Sequence, residues 1–230
     1  YLTADEQEVT VEYNETAEVA FENIEKTGEI KVTKTTVGNI NVSGITFNLR
    51  GTSDSGRDID IPAVTDENGV AIFSEIPIGT YTIYEDEKTV PTAYLVADPQ
   101  NVTVTYAETK EVPIENKEKT GSITVHKTTE GQKNIEGIKF YLRGTSDSGR
   151  AIDIPATTDK DGIAKFDGVP IGTYMVIEDE ETVPYGYLVA DEKEVKVEYA
   201  QTIDETILNN EQTGTVKVHK KTADMTNVEG

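Results

Sequence analysis

The chain has 230 residues, with 43 Asp and Glu against 21 Lys and Arg, for a formal net charge of -22. That balance argues against a nucleic-acid binder, which needs a basic stripe, and against docking on anionic membrane surfaces. Cysteine is absent and His126 and His219 are the only histidines, which excludes disulfides, cysteine nucleophiles and metal centres built on thiolates or several imidazoles.

Read in chain order, the elements repeat. Tyr1-Leu-Thr-Ala-Asp5 returns as Tyr94-Leu-Val-Ala-Asp98 and Tyr187-Leu-Val-Ala-Asp191, at a constant interval of 93 residues. Gly28-Glu-Ile-Lys-Val-Thr-Lys34 returns at Gly121 to Lys127 and starts again at Gly214 to Lys220. Gly51-Thr-Ser-Asp-Ser-Gly-Arg57 recurs unchanged at Gly144 to Arg150, and Pro77-Ile-Gly-Thr-Tyr81 at Pro170 to Tyr174. A fixed period of this kind is the signature of a tandem array. Complete units are expected at 28–120 and 121–213, with 1–27 the last part of a preceding repeat and 214–230 the first part of a following one. The chain reads as a window on a longer polypeptide.

Within a unit, Ile30, Val32 and Lys34 alternate with Lys31 and Thr33, the period-2 pattern of a half-buried strand. Ile45 to Leu49 alternates again, and Val70 to Phe73, Thr80 to Glu87, Val102 to Tyr106 and Val112 to Asn116 supply further strands. Asn68-Gly69 and Asp161-Gly162 predict tight hairpins with positive φ. About seven strands per unit predict an all-β chain of two-sheet, Ig-like sandwiches. The short linker Lys117-Glu-Lys-Thr120 sets neighbouring units end to end.

Three polar residues fall in register with core positions. Lys34 continues the Ile30/Val32 face, Glu85 the Tyr81/Ile83 face and Asn116 the Val112/Ile114 face; the second unit repeats them as Lys127, Glu178 and Asn209. A lone buried Lys or Glu is costly, so a Lys and a Glu aimed at one core imply either mutual pairing or chemistry. One reading is a buried Lys–Glu ion pair with Asn as hydrogen-bond partner. The other is amide formation: burial favours a neutral amine, which attacks the Asn carboxamide while a protonated carboxyl polarises it and shuttles protons. Ammonia leaves and a Lys–Asn isopeptide bond remains. Asn210 adjoins Asn209, but register from Ile207 selects Asn209.

The opening Gly-x-Ile-x-Val-x-Lys at 28–34 and the Gly44-Ile-x-Phe-x-Leu49 strand resemble the Cna B-type (prealbumin-like, SpaA-related) domains of Gram-positive surface proteins. So do Asp66-x-x-Gly-x-Ala-x-Phe73, Gly79-Thr-Tyr-x-Ile-x-Glu85, Pro91-x-x-Tyr94 and the closing strand that ends in Asn116. The resemblance covers both full units and both fragments. It implies prealbumin-like sandwiches, Lys34–Asn116 and Lys127–Asn209 bonds, and Glu85 and Glu178 as single-turnover catalytic acids. Glu87 and Glu180 fit the family's spacing from Glu to Pro and stand in reserve. Asn23 and Lys220 are the equivalents in the partial repeats; with most of the core between them missing, no Lys220–Asn23 bond is expected.

Other motifs carry less. Thr52-Ser-Asp-Ser-Gly56 has no histidine base in its unit and reads as a polar turn. Asp66-Glu-Asn-Gly69 and Asp159-Lys-Asp-Gly162 lack the ligand ladder of a calcium loop. No metal, cofactor or enzymatic turnover is expected. The leading expectation is an extracellular stalk or fibre shaft whose partners are neighbouring repeats and the bacterial cell wall, with host contact through a tip domain elsewhere. The alternative is a multivalent adhesive module that binds host matrix or glycan directly through exposed tyrosines such as Tyr84 or Tyr141.

Overall fold

The computed structural model describes residues 1–133, 135–220 and 223. The first unit runs β1 (Thr27–Thr36), β2 (Thr46–Thr52), β3 (Asp58–Val64), β4 (Val70–Pro77), β5 (Gly79–Glu85), β6 (Gln100–Val104) and β7 (Thr109–Asn116). The second repeats the order as β8 (Thr120–Thr129), β9 (Lys139–Ser146), β10 (Ala151–Thr157), β11 (Ile163–Pro170), β12 (Gly172–Glu178), β13 (Lys193–Val197) and β14 (Thr202–Asn209). Each unit pairs a three-stranded sheet, β4-β1-β7 or β11-β8-β14, with a four-stranded one, β3-β2-β5-β6 or β10-β9-β12-β13. The chain is therefore all-β, two tandem sandwiches, as its alternation predicts.

Alternation places one face of every strand inside. Ile30 and Val32 of β1, Phe47 and Leu49 of β2, Phe73 of β4 and Tyr81 and Ile83 of β5 form the first core; Ile123, Val125, Phe140, Leu142, Phe166, Tyr174 and Val176 repeat it in the second. Each such side chain contributes about 1.5–3 kcal/mol by leaving water. Tyr81 and Tyr174 are buried whole because each hydroxyl has a carbonyl to bond, Pro77 O at 2.7 Å and Pro170 O at 2.8 Å.

Two features differ from the expected pattern. The turn at Asp66–Gly69 forms, with Gly69 at φ 75°, but it joins β3 and β4, which belong to different sheets. It is a crossing between layers, and the expected hairpin is absent. Asp58–Val64, which alternation alone did not single out, is an edge strand paired only with β2. Pro62 is tolerated there because an edge has a side without ladder bonds, and Asp58 and Asp60 discourage further pairing.

Residues 1–26 form no strand, so the strand-like patterns at Val9, Val11, Val19 and Phe21 remain exposed. Asn23 and Lys220 are likewise exposed and outside any strand. No helix among the described residues is long and apolar enough to cross a membrane.

Candidate cross-link site

β1 and β7, the first and last strands of the unit, lie side by side and parallel, with Lys34 opposite Ile114 and Thr36 opposite Asn116. The β8–β14 pair repeats this with Lys127 opposite Ile207 and Thr129 opposite Asn209. The Lys and the Asn thus belong to one sheet, and both point inward: Lys34 and Asn116 are each 1% exposed. The acid comes from the facing sheet, where Glu85 ends β5 and Glu178 ends β12.

The three side chains meet in both units. Lys34 Nζ lies 3.9 Å from Glu85 Oε1, and Lys127 Nζ lies 3.6 Å from Glu178 Oε1. Asn116 Nδ2 donates to Glu85 Oε1 at 3.0 Å, and Asn209 Nδ2 to Glu178 Oε2 at 2.6 Å. Each glutamate therefore touches both the lysine nitrogen and the asparagine nitrogen. The lysines are also held by carbonyls, Lys34 Nζ donating to Thr35 O at 2.6 Å and Lys127 Nζ to Thr128 O at 2.6 Å and Ile207 O at 3.1 Å. Burial pulls the pKa of both lysines below the ordinary 10.5, against the opposing pull of Glu85 and Glu178. The amide oxygens Asn116 Oδ1 and Asn209 Oδ1 are buried without a partner. Such an orphan acceptor costs about 1–3 kcal/mol in a finished core.

Glu87 and Glu180 are placed elsewhere. The strands end at Glu85 and Glu178, and the shared face expected to carry the reserve acids does not extend that far. Glu87 sits in the turn after β5 and Glu180 opens a one-turn 3-10 helix, Glu180–Thr182, after β12; both are exposed.

Sequence reasoning missed the backbone that holds the acid. Ala97 N–H donates to Glu85 Oε2 at 2.8 Å and Ala190 N–H to Glu178 Oε2 at 2.9 Å. Both alanines lie in the recurrent Tyr-Leu-x-Ala-Asp segment, which the repeat marks in the sequence and which folding brings back against the glutamate. Gly69 was legible only as a turn residue. Its carbonyl accepts from Lys34 N–H at 2.7 Å, and a Cβ there would fall 2.5 Å from Lys34 O. The glycine lets the crossing turn press against the backbone of Lys34. Around Asp66 the turn is closed by Asn68 and Val70 N–H groups bonding to the carboxylate, which is turn chemistry and not a cation cage. Tyr84 and Tyr141 lie on outer strand faces under cations: Arg50 is 5.7 Å from the Tyr84 ring, and Arg143 4.5 Å and Lys139 4.6 Å from that of Tyr141.

Comparison with known proteins agrees with this architecture. The Bacillus anthracis TIE protein matches at a TM-score of 0.57 and 20% identity, over 81% of this chain and 34% of its own, a likeness of fold. The chain thus spans about a third of that protein's length. GBS52, the minor pilin of Streptococcus agalactiae, aligns at a TM-score of 0.40 and 18% identity, over 85% of this chain and 100% of its own. The shaft pilin SpaA of Lactobacillus rhamnosus GG aligns at 0.36 and 18%, over 83% and 100%. None of the curated proteins compared matches. The model of the SpaA prealbumin-like fold domain matches twice, over residues 28–118 and 121–213, and the chain belongs to that family.

Proposed function

We propose that the chain is part of the shaft or stalk of a bacterial surface fibre, built from units at 28–120 and 121–213 that lock themselves with Lys34–Asn116 and Lys127–Asn209 isopeptide bonds. The observation that carries this reading is the double contact of each glutamate, with the lysine nitrogen on one side and the asparagine nitrogen on the other. A lysine that gives its proton to the glutamate becomes a nucleophile for the Asn carboxamide carbon. The glutamate then delivers that proton to Nδ2 as the C–N bond breaks. Lys–NH3+ and Asn–CONH2 become Lys–NH–CO–Asn and NH4+, so atoms and charge balance. The fold supplies the proximity that an amide exchange lacks in water. Each bond consumes its own side chains once, so the chain is not an enzyme in the turnover sense.

The placement of the bond suits a load-bearing role. β1 and β7 run parallel, and the linker begins at Lys117, directly after Asn116. Tension entering at Thr27 would pass along β1 to Lys34, cross the bond to Asn116 and leave through the linker. Residues 35–115 would be bypassed, and the hydrogen bonds of the sheets would carry little of the force. In a cysteine-free chain the bond takes the place of a disulfide. The setting is extracellular, with neighbouring repeats and the cell wall as partners, and residues 1–27 and 214–230 belong to flanking repeats.

Intact mass spectrometry of the purified chain tests the proposal. The mass should fall short of the sequence value by two ammonias, one per unit. A mass equal to the unmodified sequence would leave only buried ion pairs.

A further inference from the structure

The heptapeptide Gly-Thr-Ser-Asp-Ser-Gly-Arg is identical in the two units, yet the cross-link makes no use of it. In the second unit its Ser148 hydroxyl and Arg150 guanidinium both engage Glu118 of the linker, Ser148 on Oε1 and Arg150 Nη2 on Oε2 at 2.8 Å. The Glu118 side chain is 5% exposed, and Ser148 is 3% exposed. In the first unit Ser55 and Arg57 hold Glu25 in the same way, Arg57 Nη1 reaching Oε2 at 2.8 Å. Glu25 and Glu118 occupy the same position of the 93-residue period, just before the first strand of the unit that receives them.

The backbone around Glu118 is committed on both sides. Lys117 O accepts from Leu95 N–H at 2.9 Å and Lys119 N–H donates to Ala93 O at 2.8 Å, both in the first unit. Lys119 O accepts from Ile171 N–H of the second unit at 3.0 Å. One residue thus donates into one unit and accepts from the other, and no residue between the units is left to act as a hinge. Asn41 Nδ2 adds a direct contact across the joint, donating to Ser148 O at 3.0 Å.

We propose that the Ser-x-Ser-Gly-Arg loop is a carboxylate socket that receives the glutamate of the preceding linker and locks successive repeats into a joint without a hinge. The ligand is a glutamate side chain on an extended backbone, and its source is the preceding repeat of the same polypeptide. The socket has a clear electrostatic purpose. At a net charge of -22 adjacent units repel one another, and an arginine facing a linker carboxylate offsets that repulsion at the joint. A charge-assisted, two-point contact of this kind is among the stronger polar interactions. The socket and its glutamate meet outside the Lys–Glu–Asn cluster, so the joint stands with or without the isopeptide bonds.

The test uses the full chain with Glu118→Ala, Arg150→Ala and the double variant. Trypsin cleavage after Lys117 and Lys119 should accelerate about tenfold in either single variant, since cleavage tracks the opened linker. The double variant should be no faster than the singles, because both remove one interaction. Cleavage after Lys26 should be unchanged, its own Glu25–Arg57 pair being intact. Spin labels on cysteines introduced at Ile72 and Lys165, exposed sites one period apart, should give a narrow distance distribution in the parent and a broad one in each variant. Thermal melting of both units confirms that the variants fold, and an unchanged ammonia loss separates this result from any failure of the cross-link. Parent-like cleavage and label distances in the single variants would overturn the proposal, as would single effects that add fully in the double.

Discussion

Glu85→Gln tests the cross-link with the least disturbance of the core. Glutamine keeps the shape of the carboxyl and still accepts from Ala97 N–H, but its NH2 then stands where Oε1 accepted from Asn116 Nδ2 and faced Lys34, so that one hydrogen bond is given up. It cannot carry a proton from Lys34 to Asn116 Nδ2, so the first unit should fold and remain unbonded. Two losses follow. The proposed bond would close a loop of about 80 residues, and its absence would free the denatured chain by about 4.5 kcal/mol on a loop-entropy basis. Unreacted Lys34 then stays buried without its paired carboxylate, Glu85, and breaking a buried pair in this way costs about 3–5 kcal/mol. The sum approaches the whole stability of a domain of this size, about 5–14 kcal/mol. Calorimetry should show the first unit melting at least about 20 °C lower, with the second unit unchanged. Intact mass should show one ammonia lost instead of two. Glu87→Gln, in the exposed turn, should change neither reading. If the Glu85→Gln chain still loses both ammonias, the assignment of Glu85 as the proton shuttle is wrong.

Three further outcomes are expected. In Glu85→Gln the folded Lys34 titrates below 10.5 and the unfolded lysine near it, so between those values the unfolded state binds the extra proton. Stability of the first unit should therefore rise with pH towards 10.5, relative to a Glu85→Gln/Lys34→Met control in which the tyrosines titrate alike; urea midpoints across that range would expose a flat difference. Burial pushes the Tyr174 hydroxyl up to about 12 from 10.0, so above pH 10 the unfolded phenol loses its proton while the folded one keeps it, and the second unit should weaken as pH rises to about 12. Tyr174→Phe should remove that alkaline loss and cost about 1 kcal/mol at neutral pH for the bond to Pro170 O, read from the same urea midpoints. Gly69→Ala would place a methyl 2.5 Å from Lys34 O at a φ of 75°, costing about 1–3 kcal/mol and shifting the lysine backbone; a residual unbonded fraction of the first unit in the mass spectrum would register the shift.

Strand parity is a local property, and it made much of this protein legible from its residues. Successive side chains point to opposite faces, so Lys34 after Ile30 and Val32, Glu85 after Tyr81 and Ile83, and Asn116 after Val112 and Ile114 had to aim inward once those strands existed. The repeat supplied the same placement twice. Which strands become neighbours is not local, and only the tertiary structure decided it. That β1 lies parallel to β7, that Glu85 faces them from the other sheet, and that Asp66–Gly69 crosses between layers depend on packing across tens of residues. The end of β5 at Glu85 separates it from Glu87, which spacing alone left in contention. The Glu118 socket was the least visible of all. Its partners Ser148 and Arg150 lie 30 and 32 residues away along the chain, and a carboxylate in a short polar linker resembles any solvated charge until folding brings the next unit's arginine to it.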